Sequence, residues 1–166
     1  SDSHSQVHTD LKSGYQLKSL KKKRMKFENK ANKLREQETL KTFANHFGLT
    51  FAKHPEYAHI DAALYNKGSL TGFAEVKGVH RSIEKSQDVI VAMRKIVRAQ
   101  QLQVSSGKPV AILWAFDDAI VYERINNLKG IFYYGGRAVR EGSTFDQEQL
   151  VKVLIKNLIR IEKDNQ

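Results

Sequence analysis

The chain has 166 residues, with 28 Lys or Arg against 18 Asp or Glu and a formal charge of +10. It contains no cysteine, which excludes disulfides, zinc–thiolate centres and thiol nucleophiles. No apolar run approaches the roughly 18 residues of a membrane helix, and the polar start SDSHSQVHTD is not a signal peptide. A single intracellular, cytoplasmic domain with its own core is therefore expected.

Residues 1–35 hold ten Lys or Arg and three acids, a net +7, so most of the excess charge sits at the N-terminal end. Such a segment attracts polyanions, by long-range steering and by release of their counterions. Residues 1–20 are polar with little periodicity and read as an arm or loosely held segment. The cluster KKKRMK (21–26) suits phosphate contact through Lys21, Lys22, Lys23 and Arg24, and equally suits the solvated start of a helix. From Phe27 to Phe47 the pattern is helical: Glu36, Leu40, Phe43 and Phe47 share one stripe, and Gly48 is the stop.

A strand is expected over 58–65, a turn at NKGS (66–69) and a second strand over 70–79. Residues 83–105 read as one long helix with Val89, Met93, Ile96 and Val97 as its apolar stripe. Lys85, Lys95 and Arg98 would grip a nucleic-acid backbone from that helix, or simply face solvent. VAILWAF (110–116) is a nearly continuous apolar run, typical of a central strand covered on both faces. AIVYERI (119–125) and GIFYYGG (130–136) read as further strands. Residues 145–162 read as a closing helix with Leu150, Val153, Leu154, Leu158 and Ile161 on its core face. A helix between strands 70–79 and 110–116 is the mark of a right-handed parallel crossover, whereas the short turn at 66–69 makes the first pair antiparallel. The expected class is α/β, a mixed sheet flanked by helices.

The stretch GFAEVKG (72–78) carries the chemistry. Alternation puts Thr71, Phe73, Glu75, Lys77 and Val79 on one face of the strand and the small or apolar Gly72, Ala74, Val76 and Gly78 on the other. With the hairpin paired around NKGS, Asp61 comes near Glu75. Two carboxylates at about 4 Å repel by a few kcal/mol at an effective dielectric of about 20, and a divalent cation between them would reverse that. Oxygen-only ligation by few protein groups suits Mg²⁺, or Mn²⁺ in its place. Lys77, one pleat on, would orient the attacking water and offset charge developing in the transition state.

Asp61 followed by Glu75-Val76-Lys77 on the second strand of a hairpin, then a long helix and an apolar strand, resembles the PD-(D/E)XK superfamily of restriction-endonuclease-like nucleases. The likeness covers about residues 30–125, with Ile60 standing where the family name has proline. It implies an αβββαβ core, a nuclease domain over 28–166 after a basic arm over 1–27, and Mg²⁺-dependent hydrolysis of DNA. It maps metal binding onto Asp61 and Glu75, assistance to catalysis onto Lys77, and a further metal-facing glutamate onto Glu36. Small members often work as dimers, so a homodimer is the assembly it suggests. A compact single-domain nuclease also fits a phage or mobile element. The competing reading is a nucleic-acid-binding or assembly module that keeps the fold without chemistry. His54, His59 and His80 read as partners in structural hydrogen bonds, and Tyr133 and Tyr134 as an ordinary aromatic strand or a base-stacking pair.

Overall fold

The computed structural model describes residues 2–136 and 147–163. They fall into two compact units, Ser1–Arg35 and Glu36–Gln166, with helix α1 (Asp2–His46) contributing to both. The first unit is helical throughout its described residues, so residues 2–20 of the segment expected to be loose are helix as well. Lys21, Lys22, Lys23 and Arg24 are exposed on it.

In the second unit α1 ends on the aromatic stripe that the sequence marks. Leu40 and Phe43 are buried, Phe47 is half exposed, and Gly48 closes the helix in the left-handed region at φ 66°. Removing a side chain such as Leu40, which is fully buried, costs about 2–5 kcal/mol.

After α1 come β1 (Thr50–Ala52), a 3₁₀ turn (Pro55–Tyr57), β2 (Ala62–Asn66) and β3 (Ser69–Gly78). The strand expected over 58–65 begins only at Ala62: residues 58–61 are turn and bend that follow the 3₁₀ turn, which the His54 ring caps by accepting from Glu56 N–H at 3.2 Å. Asn66 pairs with Ser69 across Lys67 and Gly68, both at positive φ, which makes the tight primed reversal that favours hairpins.

The expected helix over 83–105 is three elements: a 3₁₀ turn (Ile83–Lys85), strand β4 (Asp88–Ala92) and helix α2 (Met93–Ser106). Val89 therefore lies on a strand, Val97 is exposed, and the buried stripe of α2 is Ile96, Ala99 and Leu102. The consecutive β-branched residues Val89, Ile90 and Val91 are the physical cause, since they pack well on a pleated surface and poorly along a helix. Strands β5 (Val110–Ala115), β6 (Ala119–Arg124) and β7 (Ile131–Gly136) lie where expected.

The closing helix over 145–162 is absent. Residues 147–162 form β8 (Gln147–Leu154), a 3₁₀ turn (Ile155–Asn157) and β9 (Ile159–Glu162); positions 145 and 146 lie outside the described residues. Here Val151 and Val153 are buried around a partly exposed Lys152, a period of two that overrides the 3.6 reading.

Among the described residues the strands make two sheets. A mixed six-stranded sheet runs β1-β2-β3-β5-β6-β9, and a smaller antiparallel one runs β4-β8-β7. Only β3 and β5 pair in parallel there, joined through β4 and α2. Taken along the large sheet alone, the order α1, β1, β2, β3, α2, β5 is the restriction-endonuclease-like αβββαβ core. One face of that sheet meets α1 through Leu40, Phe43, Ala74 and Leu113. The other meets α2 and the small sheet through Phe73, Ile96, Trp114, Val91 and Val153. At Gly72 a Cβ would stand 2.8 Å from the Pro109 carbonyl oxygen, so only glycine lets β3 lie this close to the start of β5.

Candidate active site

The acids meet where the β2–β3 ladder ends. Ala62 opposes Ala74, and one step further out Asp61 stands across from Glu75. Two side chains take over from the ladder at that point. Asp61 N–H donates to Glu75 Oε2 at 3.3 Å, and Val76 N–H donates to Asp61 Oδ2 at 2.7 Å. Glu36 arrives from α1 and shares a hydrogen bond with the Asp61 carboxyl. Glu38, two residues on, is exposed and outside the group.

The crowding shows in the titration of Glu36 and Glu75. Burial, followed by the Asp61 charge, raises Glu75 above the ordinary carboxylate value, while Lys95 opposes the rise. Burial again leads for Glu36, joined by the charge and hydrogen bond of Asp61 and by the Glu75 charge; Lys53 acts in the other direction. Burial and neighbouring negative charge both disfavour the ionised forms of Glu36 and Glu75.

Lys77 lies on the same face of β3 as Glu75, but its ammonium is aimed at the small sheet. Nζ donates to the Ile90 carbonyl on β4 at 3.0 Å, and the Trp114 indole N–H donates to the same oxygen at 2.8 Å. Burial, then the charge of Lys95, lowers its pKa, and Glu148 on β8 pulls the other way. Beside it a cavity of about 360 Å³ opens, lined by His80, Arg81 and Asp88 among others.

Two charged residues of this neighbourhood stand where sequence reasoning does not put them: Lys95, expected only to grip a nucleic-acid backbone or face solvent, and Glu148, which it does not single out. Lys95 projects from α2 to within 3.4 Å of Glu75 Oε1, so it belongs with the acids rather than on an outer helix face. Glu148 pairs with Arg94 at 3.0 Å and reaches Lys77 electrostatically. Both are hidden when the segments around them are read as helix, because that sets the wrong phase. Lys85 and Arg98 are exposed, on the 3₁₀ turn and on α2. The Tyr133 ring faces Lys152 Nζ at 5.0 Å from its centroid, on the small sheet.

The donor set can be tested against a metal. It offers oxygen ligands only, as hard divalent cations require. Among the described residues no three His, Cys, Asp or Glu groups form a ready cage. The fit is thus to a cation that takes few protein oxygens and fills its remaining positions with water and substrate.

Residues 22–161 match the family described as "Phage putative PDDEXK endonuclease". The chain belongs to this family. The matched span includes Glu36, Asp61, Glu75, Lys77, Lys95 and Glu148. No curated protein and no solved structure matches the chain. Among the described residues no helix is long and apolar enough to cross a membrane.

Proposed function

We propose that the protein is a divalent-metal-dependent DNA endonuclease. The observation that carries this reading is the crossed pair of hydrogen bonds between Asp61 and the Glu75–Val76 segment, which holds two carboxylates together in a half-buried position. A module that only bound a polyanion would gain nothing from gathering acids at its binding face, which disfavours the non-catalytic alternative.

Asp61 and Glu75 hold the cation, Mg²⁺ or Mn²⁺, and Glu36 adds a third carboxyl through its contact with Asp61. The bound ion supplies polarisation of the phosphoryl oxygen and a more acidic water. Lys77, fixed by the Ile90 carbonyl, is an ammonium with a restricted position and a depressed pKa, suited to orienting that water and to meeting negative charge as it develops. The exposed cations Lys21, Lys22, Lys23 and Arg24, with Lys85 and Arg98, hold the DNA backbone.

The test is cleavage of labelled linear, nicked, branched and single-stranded DNA in Mg²⁺, Mn²⁺ or EDTA, beside Glu75→Ala and Asp61→Asn. We expect metal-dependent cutting that both substitutions reduce at least 100-fold. The Asn side chain keeps an acceptor for Val76 N–H, so the fold survives its introduction. DNA binding without cutting in any metal would establish the binding module instead.

A further inference from the structure

The ammonium on the acids is not the one in the motif. Lys77 Nζ rests on a main-chain carbonyl, and Lys95 Nζ lies 3.4 Å from Glu75 Oε1. The Lys95 side chain is 34% exposed and that of Glu75 15%, so the pair sits at the border between the interior and solvent. Lys95 can leave for water at little cost, but Glu75 cannot follow it.

The acids here already have cationic neighbours: Glu36 feels Lys53, Glu75 feels Lys95, and Lys77 feels both Lys95 and Glu148. An ion arriving at Glu75 Oε1 competes with a tethered cation already there, and the displaced ammonium then needs an anion.

We infer that Lys95 is a placeholder at Glu75, vacating the carboxylate oxygen to a divalent cation and passing to a phosphate of the incoming DNA. This rests on the metal-dependent nuclease reading and deepens it. Without DNA, the released ammonium stays close to the new positive charge and repels it. With DNA, a phosphate receives it. Cation and DNA therefore bind cooperatively, and by linkage each tightens the other by the same factor. Lys95 acts here as a positioning residue, since its effect on the cation runs through Glu75.

The experiment is calorimetric titration of Mn²⁺ into the full chain, as wild type, Lys95→Gln and Lys95→Arg, without DNA and then with a saturating cleavage-resistant phosphorothioate duplex. Wild type should bind Mn²⁺ weakly alone and about tenfold more tightly with DNA. Lys95→Gln should bind Mn²⁺ alone about tenfold more tightly than wild type, a change of about 1.4 kcal/mol, and should lose most of the DNA effect. Lys95→Arg, which keeps the charge, should follow wild type. Thermal melts of all three proteins confirm that each is folded. Mn²⁺ affinity that is unchanged or weakened in folded Lys95→Gln overturns the inference alone. No Mn²⁺ binding in any of the three, with or without DNA, overturns the metal-dependent reading and the inference with it.

Discussion

Replacing Lys77 by methionine should stabilise the protein while disabling it. Methionine keeps much of the length and apolar stem of lysine. The Ile90 carbonyl that Lys77 leaves still accepts from the Trp114 indole at 2.8 Å, so no buried acceptor is orphaned. What is lost is one charge-assisted hydrogen bond, about 1.5–3 kcal/mol. What is relieved is the desolvation of a half-buried ammonium, several kcal/mol per ion in a protein interior. The lowered pKa of Lys77 says that the second effect outweighs the first. We expect a gain on the order of 1 kcal/mol at pH 7, or about 3–5 °C in Tm for a unit of this size. Between the lowered folded pKa and the ordinary value of 10.5, the unfolded chain keeps a proton that the folded one sheds. Wild-type stability therefore rises with pH through that window. Methionine has nothing to titrate, so its advantage should shrink between pH 7 and pH 10. Cleavage should fall at least 100-fold at the same time. Thermal melts across that pH range, with cleavage rates, decide the matter. A Tm lowered by the same amount at both pH values would refute the reasoning, because it would make the ammonium a net stabiliser.

Two more outcomes are expected. Glu75 and Glu36 are held above the ordinary value of 4.5, so cleavage should decline as pH falls through the window above 4.5. Stability should rise in the same window, because the folded state there takes up protons that the unfolded chain does not; Glu75→Gln should remove much of that rise in a pH series of melts. Converting Lys21, Lys22, Lys23 and Arg24 to Gln should weaken DNA binding at every sequence and flatten the plot of log affinity against log salt by about 0.9 for each phosphate no longer neutralised. Single-turnover cutting at saturating DNA should stay near the wild-type rate.

Much of this architecture is legible in the residues themselves. The NKGS turn sets the hairpin, the run Val110–Phe116 marks a strand buried on both faces, and the spacing of Leu40 and Phe43 marks the packed end of α1. Asp61 and Glu75 come together because hairpin register is local and countable. The two segments wrongly read as helix share one cause. Short apolar segments separated by one to four residues satisfy both a helical and a strand period, and length alone favours helix over 83–105 and 145–162. The β-branched run at 89–91 and the alternation at 151–153 point the other way, but their weight depends on a second sheet that no local pattern announces. With β4 read as helix, α2 begins ten residues early, and Lys95 falls on the wrong face. The partner of Lys77 is illegible for a different reason: it is a backbone atom on a strand that the local pattern conceals.

That anchor has a consequence for how such a site can change over time. A carbonyl oxygen is supplied by every residue type, so position 90 is free to drift among strand-forming side chains without loosening the lysine. The orientation of the ammonium is inherited from the path of β4, and so from the pairing of β4 with β8 (Val89 with Val153, Val91 with Val151). The residues that keep Lys77 in place are thus apolar, remote from the chemistry and individually replaceable. A comparison of relatives by residue identity would pass over them. A comparison by which strands pair would find them at once.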